Sequence, residues 1–158
     1  MSPHCVTLTL NSPDETADLA ARLAARLGAG DTLLLEGDIG AGKTHFARCA
    51  IRSLLTQQED IPSPTFTLVQ TYHTQKGEVW HADLYRLSQA DDAVELGLEE
   101  AMEEAICLIE WPDRLGDLTP PDSLTIRLKH GIQDDQRLAS LSWTDPKWQV
   151  KLSGIADV

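Results

Sequence analysis

Val6 to Leu10 alternates Val, Thr, Leu, Thr and Leu, the two-residue period of a half-buried strand. Ser12-Pro13-Asp14-Glu15 follows, with a hydroxyl to cap a helix, proline at the first helical position and Glu three residues after the cap. Leu19, Ala20, Leu23, Ala24 and Leu27 then fall on one helical face, and Gly28 or Gly30 is the expected stop. Thr32 to Leu35 is a short apolar strand running into Gly37, and Phe46, Ala47, Ala50, Ile51 and Leu54 return to helical spacing. The order is strand, glycine-rich turn, helix.

Thr56 to Pro64 is polar and carries proline, so it reads as a surface loop. Phe66 to Tyr72 and Glu78 to Leu84 are predicted strands around Thr74-Gln75-Lys76-Gly77. Asp91 to Glu104 holds seven carboxylates and no basic residue, with Val94, Leu96, Leu98, Ala101, Met102 and Ala105 as anchors. Two short helices broken at Gly97 fit it, either as a solvated face or as a docking surface. Ala105 to Ile109 is a buried strand ending at Glu110-Trp111-Pro112, and Leu124 to Leu128 with Leu138 to Trp143 form a terminal hairpin around Gln133-Asp134-Asp135. The tail from Pro146 carries no clear pattern.

A chain of 158 residues with 42% hydrophobic and 24% charged residues fits one globular domain over 1–158. Ala105 to Ile109 is its longest apolar run, far short of the ~20 residues that cross a bilayer, and a cytoplasmic location without membrane attachment is expected. The formal charge of -12 repels polyanions, so no direct nucleic-acid contact is expected. Cys5, Cys49 and Cys107 have neither disulfide nor zinc spacing and are expected to be reduced and buried.

The chemistry concentrates in Gly37-Asp38-Ile39-Gly40-Ala41-Gly42-Lys43-Thr44, which meets the phosphate-loop pattern G-x-x-x-x-G-K-[ST] between a strand and a helix. Glycines let backbone amides turn inward around an anion, Lys43 reaches the β and γ phosphates, and Thr44 offers a hydroxyl to Mg2+. Such a loop needs an acid at the end of a neighbouring strand, and both Glu110 and Asp83 qualify, unless Asp83 only pairs with Arg86. Trp111 is either core or a nucleotide platform. Ser63 and Thr65 offer hydroxyls that either meet the γ phosphate as a switch or shape a turn into the next strand. His4, His45, His73 and His130 are scattered and receive no role from spacing.

Together GDIGAGKTHFAR, SPTFTLVQTY, HADLYRL, ELGLEE and LIEWPDRL resemble the signature segments of the TsaE (YjeE) family, bacterial ATPases of tRNA threonylcarbamoyladenosine modification. The resemblance spans about Gly37 to Leu115. It implies phosphate contacts from Gly37 through Thr44, with His45 standing where the family commonly has a second threonine. It also implies magnesium at Thr44 and Glu110, hydrolysis supported by Asp83, Trp111 near the nucleotide and the segment around Ser12 beside the base. The turn Asp134-Asp135-Gln136-Arg137 replaces a common Gly-Arg, and no contact is carried over to it.

The expected fold is a three-layer α/β phosphate-loop architecture, with a mostly parallel central sheet extended by antiparallel hairpins. By resemblance the cofactors are ATP and Mg2+, the partners TsaD and TsaB, and the function ATP hydrolysis serving modification of tRNA at position 37, weak alone and stimulated by the partners. Two rivals remain. A small-molecule kinase would bring acceptor-binding and lid arginines, which Asp91 to Glu104 lacks, and an assembly factor would bind ATP without turnover. A GTPase is disfavoured because N-K-x-D needs an asparagine and Asn11 is the only one.

Overall fold

The computed structural model describes residues 3–55, 68–87 and 91–155. Seven strands form one sheet: β1 (His4–Leu10), β2 (Thr32–Glu36), β3 (Val69–Thr74), β4 (Gly77–Asp83), β5 (Ile106–Glu110), β6 (Leu124–His130) and β7 (Arg137–Trp143). Their order across the sheet is β1-β7-β6-β2-β5-β4-β3. The ladders β6/β2, β2/β5 and β5/β4 are parallel, while β1/β7, β7/β6 and β4/β3 are antiparallel. Only β7 and β3 therefore run against the rest, and the sheet is mostly parallel with hairpins at both sides. Each hairpin contributes one strand to the parallel centre. β1 pairs with β7, which its own alternation could not specify because a partner more than a hundred residues away leaves no local mark.

Alternation along the buried strands creates two cores. Leu33, Leu35, Ile106 and Leu108 face the helices α1 (Pro13–Ala24) and α2 (Lys43–Leu54). Leu34, Cys107 and Ile109 face α3 (Asp91–Glu95), α4 (Leu98–Glu104) and a 3₁₀ segment at Pro112–Leu118. Helices on both faces of one sheet make the three layers. Between α3 and α4 the chain turns at Gly97, and Glu95, Glu99, Glu100, Glu103 and Glu104 are exposed, as a solvated face requires. Val94 is also exposed, so it is no core anchor.

Three local details differ from the sequence pattern. The α1 ladder ends at Ala24 rather than at a glycine, because Arg26 and Leu27 tighten onto Leu23 and Ala24 and the Asp31 carboxylate takes the Gly28 amide at 2.8 Å. The patternless tail folds into α5 (Lys147–Lys151), whose Trp148 is buried and donates its indole N–H to the Asp122 carbonyl at 2.7 Å. Of the cysteines only Cys107 is buried, and burial pushes its thiol up to about 12; Cys5 is exposed on the edge strand β1, and all three are free. No helix among the described residues is long and apolar enough to cross a membrane.

Candidate functional site

Open parallel sheets place ligand clefts at the carboxyl ends of their strands. Here β2, β4 and β5 end together: Glu110 lies beside Leu35 on one side and Asp83 on the other. The glycine-rich loop leaves β2 and enters α2 at Lys43, and Trp111 follows β5. A cleft of about 410 Å³ opens between them, lined by Ile39, Gly40, Gly42, Lys43, Thr44, His45, Leu68, Asp83, Tyr85, Arg86, Glu110 and Trp111.

Gly37 anchors the loop. Its φ is +146°, and a Cβ there would lie 2.5 Å from the Leu128 carbonyl oxygen, so the loop passes against the backbone of β6 where only glycine fits. α2 begins at Gly42 with no side-chain cap, leaving its first amides to face the cleft with the positive end of a helix dipole. Lys43 is nearly buried: its ammonium donates to the carbonyls of Gly37 and Asp38 and lies 4.0 Å from the centre of the Trp111 ring. The sequence pattern leads one to expect this lysine to project away from the core. Instead it folds along its own loop, because the carbonyls and the indole face are the electron-rich groups within reach. Burial draws its pKa below the ordinary lysine value, against the pull of Glu110, Asp83 and Asp38.

Thr44, one residue on, donates its hydroxyl to Glu110 Oε1 at 2.7 Å. The other carboxylate oxygen, Oε2, lies 2.7 Å from Nε2 of His81, and both side chains are buried. His81 stands two residues before Asp83 on β4 and so shares its face of the sheet. Spacing gave His81 no role, yet the two-residue period that places Asp83 beside Glu110 places this histidine there as well. Asp83 accepts from the Tyr85 amide at 3.1 Å, and no ion pair joins it to Arg86 among the described residues. Burial, with the Glu110 charge adding, raises its carboxyl above the usual range against that hydrogen bond.

Trp111 forms the wall. Its backbone is left-handed at φ 58°, a conformation uncommon for a bulky residue, and its ring packs 4.9 Å from Tyr85. It is half-buried, packing on the core cluster behind β5 while also lining the cleft. A second cleft of about 280 Å³ adjoins the loop beyond Gly42 and His45, bounded by Pro13, Thr16, Asp135 and Arg137. Ser12 does not line it; its hydroxyl caps α1 at the Glu15 amide, 3.2 Å away. His45 hydrogen-bonds through Nε2 to the Pro13 carbonyl at 3.3 Å. Arg137, also without an assigned role from sequence, donates to the Ala41 carbonyl at 3.1 Å and to Asp134 and Gln136, bracing the loop from β7. Thr65 and Ser63 lie outside the described residues.

The donors present suit a magnesium nucleotide. An uncapped helix start and a buried ammonium favour phosphate. The Thr44 hydroxyl and Glu110 carboxylate are hard oxygen donors side by side, and Mg2+ is usually held by one or two such groups plus phosphate and water. No cluster of three or more His, Cys, Asp or Glu residues that could hold a metal by itself occurs among the described residues.

Comparison with known proteins gives the same direction. The sequence model of the family described as "Threonylcarbamoyl adenosine biosynthesis protein TsaE" matches residues 10–139. A protein of Rickettsia bellii named tRNA threonylcarbamoyladenosine biosynthesis protein TsaE is 41% identical over 133 residues, covering 84% of this chain and 92% of its own. The Bacillus subtilis protein of the same name is 34% identical over 128 residues, covering 80% of this chain and 79% of its own. The crystal structure of YdiB from that bacterium superposes with a TM-score of 0.80 at 27% identity, covering 98% of this chain and 96% of YdiB.

Proposed function

From the premise that the chain belongs to the TsaE family, a family of tRNA threonylcarbamoyladenosine biosynthesis with a phosphate-loop nucleotide-binding fold, we propose that it binds ATP with Mg2+ and hydrolyses it in service of that modification, acting on a TsaB–TsaD complex. The observation that carries this reading is the Thr44 hydroxyl at the start of α2, hydrogen-bonded to the strand-end carboxylate of Glu110 at 2.7 Å, with the Lys43 ammonium in the same cleft.

In this reading Lys43 leaves its loop carbonyls for the β and γ phosphates, and the α2 amides take the remaining phosphate oxygens. Thr44 and Glu110 hold magnesium, which when bound neutralises charge on the transferring phosphoryl group. Asp83, its pKa raised mainly by burial, orients a water and accepts its proton. Trp111 and Tyr85 exclude bulk water along one wall. The cleft beyond His45 receives the nucleoside end, which puts the α1 start, with Ser12, near the base without direct contact from that hydroxyl.

The test is a nucleotide titration beside a thermal melt. Lys43→Ala should lower ATP affinity by at least about tenfold, the loss of one charge-assisted contact of ~1.4 kcal/mol or more, while the variant still folds, its melting temperature lowered only by the lost contacts to the Gly37 and Asp38 carbonyls and the Trp111 ring. Glu110→Ala and Asp83→Ala should lose turnover more than affinity, since their work is on charge developing in the transition state. Unchanged ATP affinity in Lys43→Ala would falsify the phosphate-loop reading. Turnover that requires a small acceptor would favour a kinase instead, and binding without sustained phosphate release would favour an assembly factor.

A further inference from the structure

Glu110 is bound at both ends. One oxygen accepts from the Thr44 hydroxyl and the other from His81, each at 2.7 Å. His81 itself is fully buried, and its second ring nitrogen, Nδ1, has no hydrogen-bond partner among the described residues. A buried imidazole with one unpartnered nitrogen is an unfavourable core residue, and the hydrogen bond its side chain makes among the described residues is the one to Glu110. The contact also fixes geometry. Because Glu110 extends from β5 and His81 from the adjacent β4, on the same face of the sheet, the hydrogen bond sets the rotation of the carboxylate about its last bond.

We propose that His81 is a positioning residue that keeps Oε2 of Glu110 occupied, so that the carboxylate offers only Oε1, beside the Thr44 hydroxyl, to a divalent cation, and that this selects Mg2+ over Ca2+. The proposal rests on the magnesium site put forward above and adds to it the origin of its selectivity. Mg2+ demands near-octahedral geometry and takes carboxylates through one oxygen, whereas the larger Ca2+ accepts both oxygens of one carboxylate in a looser shell. A rigid, buried imidazole on the second oxygen takes one of its lone pairs and, unlike the Thr44 hydroxyl, cannot rotate away, which fixes the carboxylate's orientation and disfavours the two-oxygen mode. Partners of this kind behind a metal-binding group are typically worth about 10- to 100-fold in metal affinity.

The experiment measures binding of a non-hydrolysable ATP analogue by calorimetry, titrated in Mg2+, in Ca2+ and in chelator, for the parent and for His81→Leu, His81→Gln and His81→Asn. Glutamine can place an amide donor where Nε2 stands; leucine has no donor, and asparagine is too short to bring one to Oε2. The parent should bind the analogue more tightly in Mg2+ than in Ca2+. His81→Leu should reduce that ratio about tenfold or more, and His81→Gln should restore most of it. His81→Asn should behave as the leucine variant does and serves in its place if that variant does not fold. A Mg2+ to Ca2+ ratio unchanged in the donor-less variants overturns the proposal while leaving the metal site standing. Binding by the parent that ignores both cations overturns the metal site itself, and the selectivity proposal with it.

Discussion

Gly37 and Gly40 sit in the same loop with positive φ, yet they face different surroundings. A Cβ on Gly37 would meet the Leu128 carbonyl at 2.5 Å and the Ala41 side chain at 3.2 Å, whereas one on Gly40 would meet nothing within 4 Å. Gly40→Ala therefore carries only the backbone strain of a left-handed residue, about 1–2 kcal/mol. Gly37→Ala adds a clash with strand backbone, which cannot rotate away, and overpacking of that kind costs roughly 1–3 kcal/mol more. Both variants should fold, with Gly37→Ala melting lower and binding nucleotide less well, because the loop must lift off β6 and carry the Lys43 carbonyl partners with it. Equal melting temperatures for the two alanine variants would show that contact with β6 does not hold the loop. The same comparison marks what a motif can and cannot reveal. The pattern G-x-x-x-x-G-K-[ST] fixes Gly37 and leaves Gly40 at a free position, but only the fold shows that Gly37 is pressed against a neighbouring strand while Gly40 has open space around it.

At the scale of elements, α5 is attached by charge. Asp31, just before β2, accepts from Lys151 and from the Gly28 amide and pairs with Lys147 at 3.0 Å, while Arg26 of the α1 turn donates to the carbonyls of Lys151 and Ser153. Burial works to raise the Asp31 carboxyl, but the hydrogen bonds from Lys151, Lys147 and Gly28 outweigh it and leave its pKa depressed. Burial likewise opposes the Lys147 charge, and Asp31 and Asp122 outweigh it, so that pKa is raised. A depressed acid contributes stability above its unfolded value of ~3.9 and loses it as pH falls through the folded pKa; a raised lysine contributes below ~10.4 and loses it as pH rises through the folded pKa. The clamp is therefore whole between those limits. Asp31→Asn should lower stability by about 2 kcal/mol near neutral pH, the difference shrinking below about pH 4, where the parent protonates too; urea melts at neutral and at low pH measure it, and a deficit independent of pH would exclude the charge. The sequence made most elements legible because strands β2 and β5 and helices α1 and α2 carry strong apolar periods. It left α5 silent because five residues with one buried tryptophan have no period to show, and their anchor, Asp31, lies more than a hundred positions away. His81 was hidden for a related reason: histidine in a strand has no fixed meaning until the carboxylate on the next strand is placed beside it.

For the molecule as a whole, the cleft offers groups that suit a nucleotide, but among the described residues no arginine is held where it would stabilise charge on a transferring phosphoryl group. Arg86 is exposed at the rim and pairs with no carboxylate among the described residues, and Arg137 is occupied by the carbonyls of Ala41, Asp134 and Gln136. Arg137 is held against the loop backbone by these bonds, and Arg86 has no such anchor among the described residues. At the same mouth Ile39 and Tyr85 are 73% and 47% exposed, apolar surface beside a binding cleft that a docked protein would cover. The formal charge of -12 adds a field that favours a partner offering a basic surface. These features lead us to expect slow ATP turnover by the isolated chain and faster turnover in the TsaB–TsaD complex, where an arginine supplied in trans or a partner closing over Ile39 and Tyr85 completes the charge stabilisation. In phosphate-loop enzymes a trans arginine is worth roughly 10³ to 10⁵ in rate. Phosphate release by the chain alone, with TsaB, and with TsaB plus TsaD, with Lys43→Ala as the blank, measures the effect. Ile39→Asp should lower the stimulated rate by a larger factor than the slow rate of the isolated chain, since the Ile39 side chain is exposed at the mouth of the cleft, where a docked partner would cover it. Rapid release by the chain alone, indifferent to both partners, would mean that the cleft already contains all the charge stabilisation it needs.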